Sequence, residues 1–296
     1  MNFSLMLISL IILVIAFIPF ALMFERKRPR AREVVIIAVM SSIAVVANLI
    51  CGYTIPLHGG TAVVIITGIA LGPQAGFLTG ALARFVCNFF MGQGIWTPWE
   101  MAAWGLLGVI AGAFFYKPVL IGKFEDITQI RREQTRYGLR IVVIPVAVIL
   151  FSELLGYLEY ILFRNGDEPF WGWRLYVFGF VGIITSVIIM KSKIKPDYIT
   201  MTVFTFVVVF IVYGGIMNLA AMFMNSSVSP SGADISWGAL KLLYISGVPY
   251  DALHALGASV CVFLFGDSLI QKLERVRIKY GLYKGKRKGS DPIKIL

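Results

Sequence analysis

The residues in this chain that can do chemistry are few, and most lie inside apolar runs. Arg84, Glu153, Asp251 and His254 each interrupt a stretch of otherwise apolar side chains. An ionisable group in hydrocarbon is costly, so each is a candidate for function. Arg84 falls about eight residues from the outer end of its segment, a depth of roughly 12 Å at 1.5 Å per helical residue. Asn88 lies one turn away on the same face. Glu153 shares a stripe with Tyr157 and Tyr160 at i+4 and i+7. An Arg84–Glu153 ion pair is one reading of these two charges, and a structural or snorkelling role for Arg84 is another. Asp251 and His254 share a face at i, i+3, just after Pro249. Proline lacks the backbone donor and disfavours helix before it. A break near Gly247, with a half-helix starting at Pro249, is therefore expected, as at many transporter sites. The alternative is a simple kink with Asp251 capping the new helix end.

Other chemistries lack their motifs. No GxxxxGK[ST] phosphate loop, HExxH or GxSxG occurs, so ATP hydrolysis through a phosphate loop and zinc or serine hydrolysis are not expected. The histidines are His58 and His254 alone. Cys51, Cys87 and Cys261 form no CxxC pair and sit among apolar neighbours, as small buried hydrophobes do. No metal, cofactor or catalytic residue is expected.

The elements that must position these groups are membrane helices. Of the 296 residues, 58% are apolar and 15% charged, and the mean hydropathy is +0.82. Soluble domains carry roughly 25% charged residues. Nine segments approach the ~20 apolar residues that a spanning helix needs. They fall near 4–24, 33–53, 60–72, 74–92, 99–116, 139–163, 171–190, 199–224 and 239–268. The fold expected is all-α and polytopic, with about nine transmembrane helices. Gly72-Pro73 divides the third and fourth segments into a tight hairpin. The first has no basic residue before its apolar run and no clear cleavage site, so it reads as an uncleaved helix.

The net charge of +11 suggests nucleic acid at first, but the distribution argues against it. Five basic residues fall at 26–32, six at 117–140, three at 191–195 and nine at 272–294; the other four are Arg84, Arg164, Arg174 and Lys241. Threading the chain puts those four groups on one side, which orients the N-terminus outside and the C-terminus in the cytoplasm of a plasma-membrane protein. The outer loops then carry Trp96, Trp99, Trp171, Trp173 and Trp237 as an aromatic belt. The tail with Lys284, Lys286, Arg287 and Lys288 suits anionic lipid. Gly76, Gly80 and Ala83, and Gly105, Gly108 and Gly112, are small residues at near-helical spacing, read as close packing within the chain. Ala38 and Ser42 have the same spacing and are the candidates for docking a partner helix.

The run Gly68-Ile-Ala-Leu-Gly-Pro-Gln-Ala-Gly-Phe-Leu-Thr-Gly-Ala-Leu-Ala-Arg84, then Asn88-Phe-Phe-Met-Gly-Gln-Gly-Ile-Trp-Thr-Pro-Trp-Glu-Met101 and Ala103-Trp-Gly105, resembles the substrate-binding (S) subunits of energy-coupling factor (ECF) transporters. The likeness is to the branch associated with cobalamin and its precursors, with GQGxWTPW as its most specific part. Val248-Pro-Tyr-Asp-Ala-Leu-His-Ala-Leu-Gly257, followed by Leu273-Glu-Arg275, is similar to that branch's final helix. The resemblance covers about 33–116 and 199–280. It divides the chain into an extra N-terminal helix and basic loop (1–32), a first part of the core (33–116), an insertion with a cytoplasmic loop and two-helix hairpin (117–198), a second part (199–270) and a basic tail (271–296). Here the chain departs from the six-helix pattern, and the loop at His58-Gly59-Gly60-Thr61 departs too.

The resemblance implies a non-enzymatic subunit that binds a vitamin, cobalamin or a related precursor. It would work in the bilayer with a transmembrane coupling subunit and two cytoplasmic ATPase subunits. It implies an outward pocket rimmed by His58, Trp96, Thr97, Trp99 and Glu100. Asn88, Tyr213, Asn218, Tyr250, Asp251 and His254 are its deeper residues. Two other classes stay open from the residues themselves: an autonomous secondary transporter of a small molecule, motivated by Arg84, Glu153 and Asp251, and a membrane enzyme or scaffold, whose one chemical handle is Asp251 with His254.

Overall fold

A computed structural model describes residues 31–54, 57–116, 127–163, 172–190, 198–228 and 235–280, together with Ile11 and Phe170. Every element among them is helical. The helices are α1 (Ala31–Thr54), α2 (Gly59–Leu71), α3 (Pro73–Met91), α4 (Thr97–Phe115), α5 (Ile127–Leu162), α6 (Trp173–Met190), α7 (Tyr198–Val208), α8 (Gly214–Val228) and α9 (Trp237–Lys279). A π-helical turn, Val209–Tyr213, joins α7 to α8 without a break. The described residues therefore form eight continuous helices.

Five of these are long and apolar enough to cross a membrane: α1, α4, the Pro145–Leu162 part of α5, the α7–α8 helix and α9. The expectation of nine spans is narrowed accordingly. Its first segment, 4–24, lies outside the described residues except for Ile11. α2 has 13 residues, about 20 Å of helix, which falls short of the ~30 Å hydrocarbon layer. The chain is a multi-pass α-helical membrane protein.

Close backbone approach explains the glycine stripes. A side chain on Gly68 or Gly76 would strike the Gly108 carbonyl, and one on Gly112 would strike Pro73. α2, α3 and α4 thus meet backbone to backbone at small residues, as helices in lipid can. Gly80 packs against the Trp104 backbone in the same seam. At the α2–α3 corner Gly72 takes φ 100°, a region where glycine pays no steric penalty, and Pro73 opens the next helix. Trp104, 1% exposed, anchors the core with Ile65, Ile66, Leu107 and Met40.

The expected break in the last helix does not occur. α9 runs unbroken from Trp237 to Lys279 with Pro249 inside it, and Asp251 caps nothing. Gly247 is small because the Asn218 amide lies where its side chain would be. At the other end Arg277 is buried, and its Nη1 donates to the Ala70 carbonyl at 2.7 Å while the guanidinium lies 5.2 Å from the Tyr116 ring. That arrangement fastens the C-terminal ends of α2, α4 and α9 together.

Candidate functional site

Two polar groups occupy the half of the bundle opposite Arg277. The first spans α3 and α4. Arg84 forms an ion pair with Glu100 in the first turn of α4, where the helix dipole favours a carboxylate. Asn88 Nδ2 donates to Glu100 Oε2 at 2.8 Å and to Thr97 Oγ1 at 2.9 Å. Thr97 Oγ1 in turn donates to Gln93 Oε1 at 2.9 Å and accepts from the Gly94 amide at 3.2 Å. Gly92, at φ 104°, ends α3 and turns the chain so that these partners meet. The Arg84 guanidinium lies 5.4 Å from the Trp104 ring, within cation–π range. Three buried atoms of this group lack hydrogen-bond partners: Arg84 Nε, Asn88 Oδ1 and Trp104 Nε1. Buried polar atoms are seldom left unpaired, so two donors and one acceptor stand available here.

The second group is aromatic and joins α2, the π turn and α9. The rings of His58 and His254 stack at 3.8 Å, and Tyr213 meets His254 edge-on at 4.3 Å. Thr61 Oγ1 is 3.0 Å from His254 Nε2. The π turn ends at Tyr213 and re-aims it toward α9; such turns recur at functional sites. The Arg84 charge reaches both histidines and Tyr213, so the two groups share one electrostatic environment. Burial, and then the nearby Arg84 cation, hold His58 in the loop before α2 below its ordinary pKa.

Other expected site residues lie apart from these groups. Asp251 faces α6 and α8, where Oδ2 accepts from Tyr176 Oη at 2.6 Å and from Asn218 Nδ2 at 2.8 Å. Trp99 stacks on Phe223 of α8 at 5.9 Å. Trp96 is exposed, with its Nε1 donating to the Gly92 carbonyl at 3.3 Å. Tyr250 is 78% exposed. The Arg84–Glu153 pair does not form: Glu100 has taken Arg84, and both Glu153 carboxylate oxygens are buried without a partner, against Gly179. Ala38 and Ser42 lie exposed on one face of α1.

Thr61 and Trp104 belong to these groups and Tyr176 holds Asp251 beside them; none of the three was singled out from the sequence. Trp104 at least falls inside the Ala103-Trp-Gly105 run that carried the resemblance. Among the described residues no group of three or more His, Cys, Asp or Glu side chains gathers as a metal would require.

Residues 29–166 match a family described as ECF-type riboflavin transporter, S component. The chain is similar to ECF S components. A UPF0397 protein of Aliivibrio fischeri is 29% identical over 151 residues, 47% of this chain and 74% of that protein. UPF0397 proteins of Vibrio atlanticus and Vibrio vulnificus are 25% and 27% identical over 168 residues, 55% of this chain and 81% of each relative. No solved structure matches the chain. The S-component match takes in His58, Thr61, Arg84, Asn88, Thr97 and Glu100, while Tyr213, Asp251 and His254 lie beyond it. The similarity does not single out the cobalamin branch.

Proposed function

We propose that this chain is the membrane-embedded substrate-binding subunit of an ECF-type, ATP-driven vitamin importer. The observation that carries the reading is the meeting of two groups at one end of the bundle: the stacked His58–His254 pair with Tyr213, and the Arg84–Glu100–Asn88 network. Aromatic faces beside a few fixed polar atoms suit a flat, heteroatom-rich ligand. The unpaired Asn88 Oδ1, Arg84 Nε and Trp104 Nε1 offer it hydrogen bonds.

Cobalamin or a related precursor is the finer proposal, supported by the Gly92-to-Trp99 run. Riboflavin is the rival ligand, because the matching family carries that name. The ligand enters from outside, with the N-terminus outside and the basic tail in the cytoplasm. A coupling subunit and two ATPases supply the energy, and the Ala38–Ser42 face of α1 is where a partner helix docks. Residues 117–198 are an addition to the six-helix core in this reading.

Titration of the purified chain in nanodiscs with a panel holding corrinoids, flavins and other vitamins tests the proposal. Saturable binding that weakens in His254→Ala supports it. Absence of binding across the panel contradicts it, and uptake by vesicles that hold this chain alone would favour an autonomous transporter instead.

A further inference from the structure

The α5–α6 hairpin touches the helix that carries His254 at two places: Trp173 packs its ring 5.2 Å from that of Trp237, and Tyr176 reaches Asp251. Tyr176, in the first turn of α6, donates to Asp251 Oδ2 at 2.6 Å, and Asn218 of α8 donates to the same oxygen at 2.8 Å. The surroundings are built for this contact. A side chain on Gly214 would overlap the Asp251 carboxyl group, and one on Gly247 would overlap the Asn218 amide. Tyr244 packs its ring 4.5 Å from that of Tyr176, but its hydroxyl turns elsewhere and donates to the Gly215 carbonyl at 3.0 Å.

The clamped turn of α9 is the one that needs holding. Pro249 has no N–H, so the Ile245 carbonyl four residues earlier loses its partner within the helix. Helices bend at such points. Asp251 follows Pro249 by two residues, and His254 lies one turn beyond Asp251 on the same face. The direction of that turn sets whether His254 can stack on His58, meet Tyr213 and reach Thr61. Asn218 belongs to the same side of the bundle as Tyr213. Tyr176 comes from α6, and both donors converge on the one oxygen, Asp251 Oδ2.

We propose that Tyr176 is a positioning residue for the candidate ligand site: by holding Asp251 it fixes the proline-softened turn of α9 that presents His254. The proposal rests on the reading that His58, His254 and Tyr213 line the ligand site. It gives the α5–α6 hairpin a task, that of bracing the site from outside it.

The full chain in nanodiscs allows a test that needs no ligand. His58 and His254 are its only histidines, so diethyl pyrocarbonate labelling followed by peptide mapping reports each imidazole separately. Tyr176→Phe is expected to speed His254 modification roughly tenfold, the change in an opening equilibrium when one buried hydrogen bond is removed. Tyr244→Phe removes a hydroxyl from the same aromatic cluster without touching Asp251, and is expected to leave the His254 rate as in the wild type. An unchanged rate in Tyr176→Phe overturns the proposal, as does an equal rise in both variants, which would mean general loosening. A vitamin that binds the wild type gives a second readout. Tyr176→Phe should then raise its Kd by a similar factor, with no added effect in a His254→Ala background; simple additivity would contradict the coupling. Failure of every vitamin to bind would count against the binding-subunit reading alone, and the labelling comparison would still decide whether Tyr176 braces α9.

Discussion

Glu100 is where a single atom change should have the largest effect. Its carboxylate holds Arg84 and receives Asn88, and both members of the ion pair are largely buried. Glu100→Gln leaves a buried guanidinium without its counter-charge, which typically costs about 3–5 kcal/mol. Chemical unfolding in mixed micelles should show a loss of that order, whereas Glu153→Gln, with no partner to lose, should cost far less. His58 makes a prediction about pH. Burial and Arg84 keep its folded-state pKa below the ordinary 6.5. Below that value the unfolded chain takes up a proton that the folded chain resists, so stability falls as pH drops through 6.5 and is flat above it. Melting curves of the wild type should steepen in pH dependence below that point, and His58→Gln should remove part of the slope. Arg84, Asn88 and His254 stood out in the sequence because polar residues in apolar runs are conspicuous, and His58 entered through the resemblance. Glu100 was named there as a rim residue but not as the partner of Arg84, because helical spacing relates residues on one helix. Glu100 reaches Arg84 only across the Gly92 turn, from a different helix.

Within the helices, packing decides more than composition. The α2–α3–α4 seam has no room at Gly108, where a side chain would meet the Gly76 backbone. Gly108→Val should destabilise by about 2 kcal/mol or more, since neither backbone can yield. Gly238, also helical but open to its surroundings, should accept alanine with no loss, because alanine is the better helix former. Thermal unfolding of the two variants makes the comparison. The small-residue stripes announced this seam correctly, since close approach leaves a direct mark on residue type. Pro249 misled for a physical reason: proline removes one hydrogen bond, and the packing of α9 against α8 and α2 carries the helix across the gap. The π turn at Val209–Tyr213 leaves no such mark, because its residues are ordinary apolar ones. Yet it aims Tyr213 at His254.

For the molecule as a whole, lipid as the solvent was legible from composition, and the alternation of the helices follows from it. The number of spans was less so. A hydropathy run shows that a segment is apolar but not whether it is long enough: the helix that Gly72 ends has 13 residues. Orientation rests on the 23 Lys and Arg in four groups, against four elsewhere. A cysteine placed at Lys284 should react with a membrane-impermeant maleimide only when the cytoplasmic side is exposed, and one at Gln93 only from outside. The opposite pattern would invert the topology and place the His58–His254 end in the cytoplasm. Two halves of the candidate site come from distant parts of the chain, Arg84 to Glu100 and Tyr213 to His254, so its coherence was not visible until the helices were assembled. Ligand titration of the purified chain probes that coherence most directly. The expected result is saturable binding of one vitamin, weakened at least tenfold by His254→Ala and by Glu100→Gln in protein that remains folded. A tenfold weakening corresponds to about 1.4 kcal/mol for each substitution. No binding across corrinoids, flavins and the remaining vitamins, or binding that neither substitution changes, would contradict a substrate site at this end of the bundle.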